Sequence, residues 1–253
     1  METKSNMQEK KRLLMLTDGN SEQASARIRA IEYIPMLEDA GFEITFIPRI
    51  PRKQVNTFVK YIYFPFLKRL LRIKRYFALY FRTWDVIYVQ RIFIHKSALQ
   101  KVVRKSRLIF DFDDAIFIDN RNNSAALKTA DMVKFADETI VSTDWLNDFC
   151  SRHGKTATVI PTPVETDIIK PNEKTENKTL VIGWIGSAWT TGYLEPIIPA
   201  LQQLATDYEF KFLTVGAKTG FTVQGINHTN MPWEPGIEPK ALTQIDIGIM
   251  PLP

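Results

Sequence analysis

The chain has 253 residues, 45% of them hydrophobic and 24% charged, which is typical of a folded globular protein with one or two domains. Residues 1–11 are polar, and the uncharged stretch 179–194 is too short for a spanning helix, so we expect neither a signal peptide nor a membrane span. The single cysteine, Cys150, excludes an internal disulfide, and we expect it to be buried in a protein of the reducing cytoplasm.

The positive charge is concentrated in one segment. Residues 49–82 contain ten basic residues and no acidic one, so this segment carries +10 and the remainder of the chain, whose net charge is +5, carries −5. In Val55–Phe81 the cations interleave with aromatic rings, which predicts a helix or helical pair, broken at Pro65, on the anionic inner face of the cell membrane. The cations expected there are Lys68, Arg69, Arg72, Lys74 and Arg75.

Two alternatives exist for this basic segment. It could be a core-packing helix whose basic face is solvated. A nucleic-acid interface is disfavoured because no recognised motif accompanies the charge, and we expect no nucleic-acid partner.

The first 160 residues alternate between apolar β-rich runs and helical segments, which predicts an α/β fold with a doubly wound parallel sheet. Gly41 is predicted to end the first helix in a left-handed conformation, and Pro35 to kink or divide that helix. The predicted strands are Arg12–Thr17, Glu43–Pro48, Asp85–Gln90, Leu108–Asp113, Glu138–Ser142 and Thr156–Ile160. The predicted helices are Glu22–Ala40, Val55–Phe81, Ile94–Lys105, Ser124–Ala136 and Asp144–His153.

A second α/β domain is predicted after a polar, proline-containing connection around residues 161–178, so the domains are 1–163 and 164–253. Because the chain stops at the end of a strand, we expect this second domain to be unfinished. Its predicted elements are strands Leu180–Ile185, Phe210–Val215, Thr222–Asn227 and Ile245–Met250 and helices Tyr193–Ala205 and Glu238–Gln244.

Ligands in open α/β sheets lie beyond the carboxyl ends of the strands, which singles out two glycine-containing loops. Asp18, Gly19 and Ser21 follow the first strand, where Asn20 or Ser21 could cap the next helix and free N–H groups could bind an anion or a sugar hydroxyl. A tight turn is the alternative. The second loop, Gly186–Gly192, offers two glycines and three hydroxyls as a diphosphate cradle, although it matches no established phosphate-binding fingerprint. Its donor-binding candidates are Gly186, Ser187, Thr190, Thr191 and Gly192.

A third loop gathers three acids, Asp111, Asp113 and Asp114, whose mutual repulsion must be offset by a metal, a basic neighbour or polar substrate groups. Asp111 and Asp114 could instead simply face water. A phosphatase of the haloacid dehalogenase type, with Asp111 and Asp113 as its paired acids, is a less favoured interpretation because the following residues differ from that motif. The three histidines are scattered, so we expect no metal site.

Taken in order, several segments resemble the retaining glycosyltransferases of family 4, which have the GT-B fold of two Rossmann-like domains. The segments that carry the resemblance are 24–29 with Leu37 and Gly41, 85–91, 109–117, 136–143, 159–165, 182–187 and 246–253.

The resemblance implies transfer of a sugar, with retention of configuration, from a nucleotide diphosphate donor on the second domain to a saccharide or lipid-linked acceptor on the first. No cofactor is expected besides the donor substrate. The resemblance implies Asp113 and Asp114 at the reaction centre, in place of the family's usual histidine. Ser187 and Thr191 replace the usual arginine and lysine of the donor loop. The acceptor-side residues are Asp18, Gly19, Ser21, Arg27, Gln90 and Arg91.

Two further expectations follow from the resemblance. The family keeps a glutamate pair and a lysine beyond the last strand seen here, so we expect these 253 residues not to turn over a donor. The alternative function is a non-catalytic glycosyltransferase-like protein that binds a membrane or a partner.

Overall fold

The computed structural model describes residues 10–49, 64–118, 124–170, 179–234 and 236–252. The chain divides into two compact units, Met1–Pro163 and Val164–Pro253. Residues 55–63 of the predicted basic helix and residues 171–178 of the predicted connection between the domains lie outside the described residues.

The first unit contains a six-stranded parallel sheet in the order β2-β1-β3-β4-β5-β6, which confirms the predicted α/β class. Its strands are β1 (Lys11–Thr17), β2 (Phe42–Pro48), β3 (Val86–Gln90), β4 (Arg107–Phe112), β5 (Glu138–Val141) and β6 (Thr158–Val159). Its helices are α1 (Ala24–Arg29), α2 (Ile34–Asp39), α3 (Phe64–Phe81), α4 (Lys96–Val102), α5 (Ser124–Phe135) and α6 (Asp144–Arg152).

Strand β1 is buried on both faces. Leu14 and Leu16 contribute to the core beneath α3 to α6, whereas Leu13 and Met15 pack with Ala30 on the opposite face. Successive residues of a strand point to opposite faces, so a continuous apolar run is what a sheet covered on both sides requires. Cys150 belongs to the first of these cores and is fully buried, as predicted, and burial raises the pKa of its thiol to about 11.

The predicted helix Glu22–Ala40 is divided, as Pro35 indicated. The helix α1 ends at Arg29, a 3₁₀ turn spans Ile31–Tyr33, and α2 has Pro35 in its first turn, where the missing N–H is tolerated. Gly41 follows with φ of +90°, which confirms the predicted left-handed end. The predicted cap was wrong: Gln23 precedes α1 without a side-chain cap, and Asn20 Oδ1 accepts from the N–H of Glu22 instead.

The second unit contains a four-stranded parallel sheet in the order β10-β7-β8-β9. Its strands are β7 (Leu180–Ile185), β8 (Phe210–Val215), β9 (Asn227–Met231) and β10 (Ile247–Gly248), and its helices are α7 (Ile198–Asp207) and α8 (Ile237–Leu242). A 3₁₀ helix, Thr191–Ile197, precedes α7 because Pro196 and Pro199 each remove a helical N–H donor.

One predicted strand of this unit was wrong. The segment Thr222–Asn227 is mostly turn, and pairing begins only at Asn227. Gly220 and Gly225 both have φ of +77° and turn the chain at either end of the segment, while Val223 fills the core between them. The apolar residues Val223 and Ile226 therefore reflect burial and not strand pairing.

Candidate functional site

The carboxyl ends of β1, β3 and β4 bring several predicted site residues to one edge of the first sheet. Thr17 pairs in register with Gln90, and Gln90 with Asp111, so the residues after these three positions are neighbours. The chain passes from β1 to β2 on one side and continues with β3 on the other. Ligands of open α/β sheets bind at such a switch point, here between β1 and β3.

Asp111 is fully paired inside this edge. Arg29 Nε and Nη2 donate to its two carboxylate oxygens at 2.8 and 3.0 Å, and both side chains are 3% exposed. The expectation that Asp111 faces water is therefore wrong. Burial raises the pKa of Asp111, and the hydrogen bonds from Arg29 oppose that shift.

The pairing with Arg29 gives Asp111 a structural role. Arg29 Nη1 also donates to the carbonyl oxygen of Ile160 at 3.0 Å, and Tyr88 Oη donates to the carbonyl oxygen of Arg29 at 3.0 Å. These bonds join α1, β3, β4 and the segment after β6. Because Asp111 is buried and both its carboxylate oxygens accept from Arg29, it is poorly placed to attack phosphorus, which argues against the phosphatase interpretation.

Arg91 offsets the charge of the other two acids. Its Nη1 lies 2.8 Å from Asp114 Oδ2 and 3.5 Å from Asp113 Oδ1. The sequence left open whether a metal, a basic neighbour or polar substrate groups offset the charge of this acidic loop. In the structure each of the three carboxylates has a basic neighbour: Arg29 for Asp111, and Arg91 for Asp113 and Asp114. Arg91 also has φ of +54°, a left-handed conformation that is uncommon without glycine and that often marks a functional site.

Asp113 and Asp114 differ in accessibility. The Asp113 side chain is 12% exposed and that of Asp114 65% exposed, and the backbone carbonyl of Asp113 accepts from Ser142 Oγ at 2.9 Å. Asp113 is thus the acid held at the edge of the sheet, whereas Asp114 extends into solvent.

The predicted acceptor residues separate into two groups. Asp18 and Gln90 lie together, since the N–H of Asp18 donates to Gln90 Oε1 at 3.2 Å, and Gln90 Nε2 donates to Ser25 Oγ at 2.7 Å. Gly19 is buried beside them, and its carbonyl accepts from Thr17 Oγ1 at 2.6 Å. Ser21 is exposed and contributes its carbonyl oxygen to Arg27 Nη1 at 3.2 Å. Arg27 also pairs with Glu32 of the following 3₁₀ turn at 3.6 Å.

Arg29 is the arginine that organises this edge, and the sequence interpretation chose Arg27 instead. The buried side chains of this region are Ala26, Arg29 and Ala30, which follow the i, i+3, i+4 spacing of one helix face. This pattern could have been recognised in the sequence, because the small side chains of Ala26 and Ala30 on the same helix face leave space for an inward-facing arginine.

The loop Gly186–Gly192 lies at the carboxyl end of β7, which pairs with β10 on one side and β8 on the other. Its hydroxyls bond mainly within the loop: the N–H of Ser187 donates to Thr190 Oγ1 at 3.1 Å, and Thr191 Oγ1 donates to the carbonyl of Ser187 at 3.4 Å. Thr191 Oγ1 also accepts from the N–H of Lys218 at 2.9 Å, which ties this loop to the one after β8. The loop itself carries no charged side chain.

Gly216 is a second residue that the sequence interpretation missed. It directly follows β8 with φ of +79°, and a Cβ atom there would collide with the carbonyl oxygen of Gly186. A Cβ at Gly186 would in turn collide with the buried ring of Trp184, whereas one at Gly192 would meet nothing within 4 Å. The close backbone approach at this edge is therefore between Gly186 and Gly216.

The histidines have local structural contacts. His95 caps α4 through Nδ1, His153 stacks on Phe149 with 4.5 Å between ring centroids, and His228 bonds Thr214. Within the described ranges, no three histidine, cysteine or acidic residues gather as a metal site requires.

Helix α3 presents an apolar stripe to solvent. The exposed apolar side chains recur every three or four residues along one face: Phe66, Leu70, Ile73, Phe77 and Phe81. Four of the predicted membrane cations are exposed as well, namely Lys68, Arg69, Arg72 and Lys74. Arg75 differs, because its Nε and Nη2 atoms are buried on the opposite face. Among the described helices, none is long and apolar enough to cross a bilayer.

Comparison with known proteins identifies the fold. No protein-family model matches the sequence, and no curated protein matches it significantly. Among solved structures, it is similar to the apo form of WaaB, a lipopolysaccharide outer core galactosyltransferase, with a TM-score of 0.55 and 12% identity over 94% of this chain and 73% of that chain. Anabaena HepE, solved with UDP and glucose, gives a TM-score of 0.55 and 13% identity over the same shares. A Listeria monocytogenes protein described as a putative UDP-N-acetylglucosamine 2-epimerase gives a TM-score of 0.55 and 10% identity over 90% of this chain and 71% of that chain.

These likenesses and the two parallel sheets confirm the predicted GT-B fold with two Rossmann-like units. The same fold occurs in glycosyltransferases and in the epimerase-like protein. Assignment to the retaining enzymes of family 4 stays a prediction.

Proposed function

We propose that the protein is a glycosyltransferase whose nucleoside diphosphate sugar binds at the carboxyl edge of the second sheet. The observation that carries the proposal is the approach of Gly216 to the carbonyl of Gly186, which brings the backbones of the loops after β7 and β8 close together. Diphosphates bind where glycine lets the backbone come close and where the neighbouring groups are neutral or cationic. The complex of HepE with UDP and glucose supports a nucleotide as the ligand of this fold.

Lys218 supplies the cation that the loop Gly186–Gly192 lacks. It is exposed, and the hydrogen bond from its N–H to Thr191 Oγ1 holds it beside that loop. A lysine near a leaving diphosphate stabilises the charge that develops there. We therefore assign to Lys218 the charge-stabilising role that the usual arginine and lysine of the donor loop would have, since this chain has Ser187 and Thr191 in their places.

The acceptor binds, in this proposal, at the edge of the first sheet between Asp18 and Asp113. Support comes from the position of both residues around the switch point and from the Asp113 side chain, which is 12% exposed and so stays partly accessible. Asp113 contacts the acceptor hydroxyl, while Arg91 positions the acidic loop. Retention of the anomeric configuration remains part of the proposal and would be read from the product's anomeric NMR signal.

Calorimetric titration with UDP tests the donor site. Gly192→Asp places a carboxylate in open space at the end of the loop, so it should weaken UDP at least about tenfold by repulsion while leaving the fold intact. Lys218→Met should weaken UDP by a comparable factor. Gln203→Asp adds the same charge on the exposed face of α7 and should leave the affinity unchanged. Equal UDP affinity in all four proteins would refute the donor site.

Product analysis separates the possible activities. Incubation with nucleotide sugars and candidate acceptors should give a glycosylated acceptor and free UDP. Conversion of the donor to an isomeric nucleotide sugar without transfer would favour an epimerase. Binding of UDP without any conversion would favour the non-catalytic alternative.

We further propose that α3 docks on an anionic membrane surface. Its apolar stripe, Phe66, Leu70, Ile73, Phe77 and Phe81, is exposed, and Arg69, Arg72 and Lys74 flank it. Rings that enter the headgroup layer beside cations are the pattern of interfacial helices, and each cation contributes about 1 kcal/mol near an anionic surface.

Sedimentation with vesicles of phosphatidylglycerol and phosphatidylcholine tests this surface. The wild-type protein should sediment at low salt and be released at high salt, and Phe77→Ser with Phe81→Ser should abolish binding. Leu127→Ser removes an equally exposed apolar side chain from α5 and should bind like wild type. A wild-type protein that stays in the supernatant at low salt would refute the membrane role.

A further inference from the structure

A cavity of about 190 Å³ lies at the amino ends of β3 and β4, at the opposite end of the first sheet from its carboxyl edge. The end of α3, the start of β3 and the end of α4 with its following turn form the walls. Ile87 and Val102 contribute apolar surface, and Tyr80 and Ser106 carry hydroxyl groups. The volume is below the roughly 300–1,000 Å³ of pockets that hold drug-sized ligands, so the cavity suits a small group and not a whole nucleotide.

The cavity is strongly basic. Of the described residues that line it, none is acidic and four are cationic: Arg82, Lys101, Arg104 and Lys105. All four are exposed, so a ligand can reach their charged groups. None of the four forms an ion pair with another described residue. The cavity therefore concentrates positive charge that the described part of the chain does not pair.

The negative groups near this end of the sheet do not compensate that charge. Asp85 Oδ2 accepts from the N–H of Arg12 at 2.6 Å, and Glu138 Oε1 lies 3.3 Å from Arg107 Nη2. The carboxyl ends of α3 and α4 face this region, but each helix end is equivalent to only about half a negative charge. Most of the charge of the four cations is thus left for an anion from outside the chain.

One of the four cations is positioned by an aromatic ring. Lys101 Nζ lies 4.7 Å from the centroid of the Tyr80 ring, within the range of a cation–π interaction. The Tyr80 ring in turn stacks on Tyr76 with 4.3 Å between centroids. This contact uses the face of the ring and leaves the ammonium hydrogens that point away from it free to donate to a ligand.

We propose that this basic cavity binds the phosphate of an anionic lipid headgroup. Phosphate oxygens accept strong hydrogen bonds from both guanidinium and ammonium groups, and Arg82 and Arg104 supply the first while Lys101 and Lys105 supply the second. The hydroxyls of Tyr80 and Ser106 are further donors of the same wall.

A lipid is the favoured source of the phosphate because the cavity adjoins the apolar stripe of α3, and this step rests on the membrane docking proposed above. Phe81, 69% exposed, lies between Tyr80 and Arg82, which both line the cavity. The Tyr76 ring that stacks on Tyr80 also contacts Phe77 and Phe81, with centroids 6.4 and 6.1 Å away. Aromatic rings therefore lead from the cavity wall to the stripe that would enter the headgroup layer.

Calorimetric titration with dihexanoylphosphatidylglycerol, dissolved below its micelle concentration, tests the cavity without a membrane. Wild-type protein should bind this lipid, and a cavity variant with Arg104→Gln and Lys105→Gln should bind it at least about tenfold more weakly. A control variant with Lys128→Gln and Lys134→Gln removes the same charge from exposed positions of α5 and should bind like wild type. Equal affinities in the cavity and control variants would overturn the proposal.

Two further probes identify the source of the phosphate. Inorganic phosphate should bind more weakly than the dissolved lipid, because it lacks the chains that contact the apolar stripe. Dihexanoylphosphatidylcholine, whose choline cation is repelled by the four basic side chains, should bind more weakly as well. An inorganic phosphate affinity equal to that of phosphatidylglycerol would assign the cavity to free phosphate and overturn the lipid source.

Sedimentation with phosphatidylglycerol vesicles separates this inference from the proposed docking of α3. At the same salt concentration, the cavity variant should sediment less than the control variant, although the two have the same net charge. Wild-type protein that fails to sediment and yet binds the dissolved lipid through Arg104 and Lys105 would refute the docking of α3 and leave the cavity assigned. Equal sedimentation of the two variants would instead show that only diffuse charge acts, which overturns the inference and leaves the docking of α3 standing.

Discussion

At the carboxyl edge of the first sheet, charged side chains pair across strands, whereas the same edge of the second sheet is built from glycines and hydroxyls. Arg29 pairs with Asp111 in the interior, and Arg91 pairs with Asp113 and Asp114 nearer the surface. In the second unit, Gly186 and Gly216 approach backbone to backbone, and Thr191 ties the two loops together.

In the proposed function, this difference suits the two edges to different ligands. Ion pairs fix the direction of each charge, so the first edge can orient a polar acceptor against a defined carboxylate. In the same proposal, the uncharged loop Gly186–Gly192 suits a group that brings its own charge, as a diphosphate does. Removing one member of the buried ion pair in the first unit, and the glycine contact in the second, tests whether ion pairs stabilise one edge and close backbone packing the other.

The largest effect is expected at the buried pair. Asp111→Asn leaves the guanidinium of Arg29 charged and incompletely paired in the interior, which should lower the free energy of unfolding by about 3–5 kcal/mol. Urea unfolding of the full chain, followed by circular dichroism, measures the loss.

An exposed pair provides the control for this change. Arg107 and Glu138 lie 3.3 Å apart in adjacent strands, with both side chains largely in solvent. Glu138→Gln should cost less than about 1 kcal/mol, because solvent screens such pairs. A loss of the same size in both variants would mean that burial does not set the strength of the Arg29–Asp111 pair.

A smaller effect is expected at the glycine contact of the second unit. Gly216→Ala puts a side chain on a left-handed residue and against the carbonyl oxygen of Gly186, which should lower the free energy of unfolding by about 1–3 kcal/mol. Gly192→Ala has open space around it and should be close to neutral. Urea unfolding of the two variants checks the contrast, and equal stabilities would show that the loop after β8 can move away from Gly186.

Much of the fold could be predicted because parallel strands buried on both faces are rich in continuous apolar residues, as Leu13–Leu16 of β1 and Val86–Val89 of β3 are. Element ends were harder to predict. Val223 is apolar because it fills the core, and a composition pattern does not distinguish that from strand pairing. Pro196 and Pro199 shift a predicted helix start by about a turn, since they favour a 3₁₀ helix first.

The site could be predicted only in part. The sequence predicted Gln90 and Asp113 as the last residues of two strands and Gly186 in the loop after a third. In the structure Gln90 ends β3, while Asp113 and Gly186 directly follow β4 and β7. It could not show that Asp111 pairs with Arg29, because that contact joins residues 82 positions apart and depends on how α1 packs on the sheet. The same limit applies to Gly216, whose importance arises from the carbonyl of a glycine on the neighbouring strand.

The smallest expected effect concerns the one titratable group in a neutral hydrogen-bond chain of the second unit. His228 Nδ1 accepts from the N–H of Val223 at 3.3 Å, so the ring proton is on Nε2 and is donated to Thr214 Oγ1 at 3.0 Å. Thr214 Oγ1 in turn donates to Asn230 Oδ1 at 3.1 Å. Only the neutral imidazole fits this chain, because a protonated Nδ1 cannot accept.

Burial lowers the pKa of His228 in the folded protein, so the unfolded chain takes up a proton at higher pH than the folded chain does. Stability from this group is therefore complete above the unfolded pKa, about 6.5, and is lost as the pH falls through the lower folded pKa. The melting temperature of the wild type should fall between pH 7.5 and pH 5.5 by more than that of His228→Gln. His95→Gln, which alters the cap of a helix in the first unit, should keep the wild-type pH dependence. If His228→Gln loses as much stability as the wild type on acidification, the neutral chain around Thr214 does not require the uncharged ring.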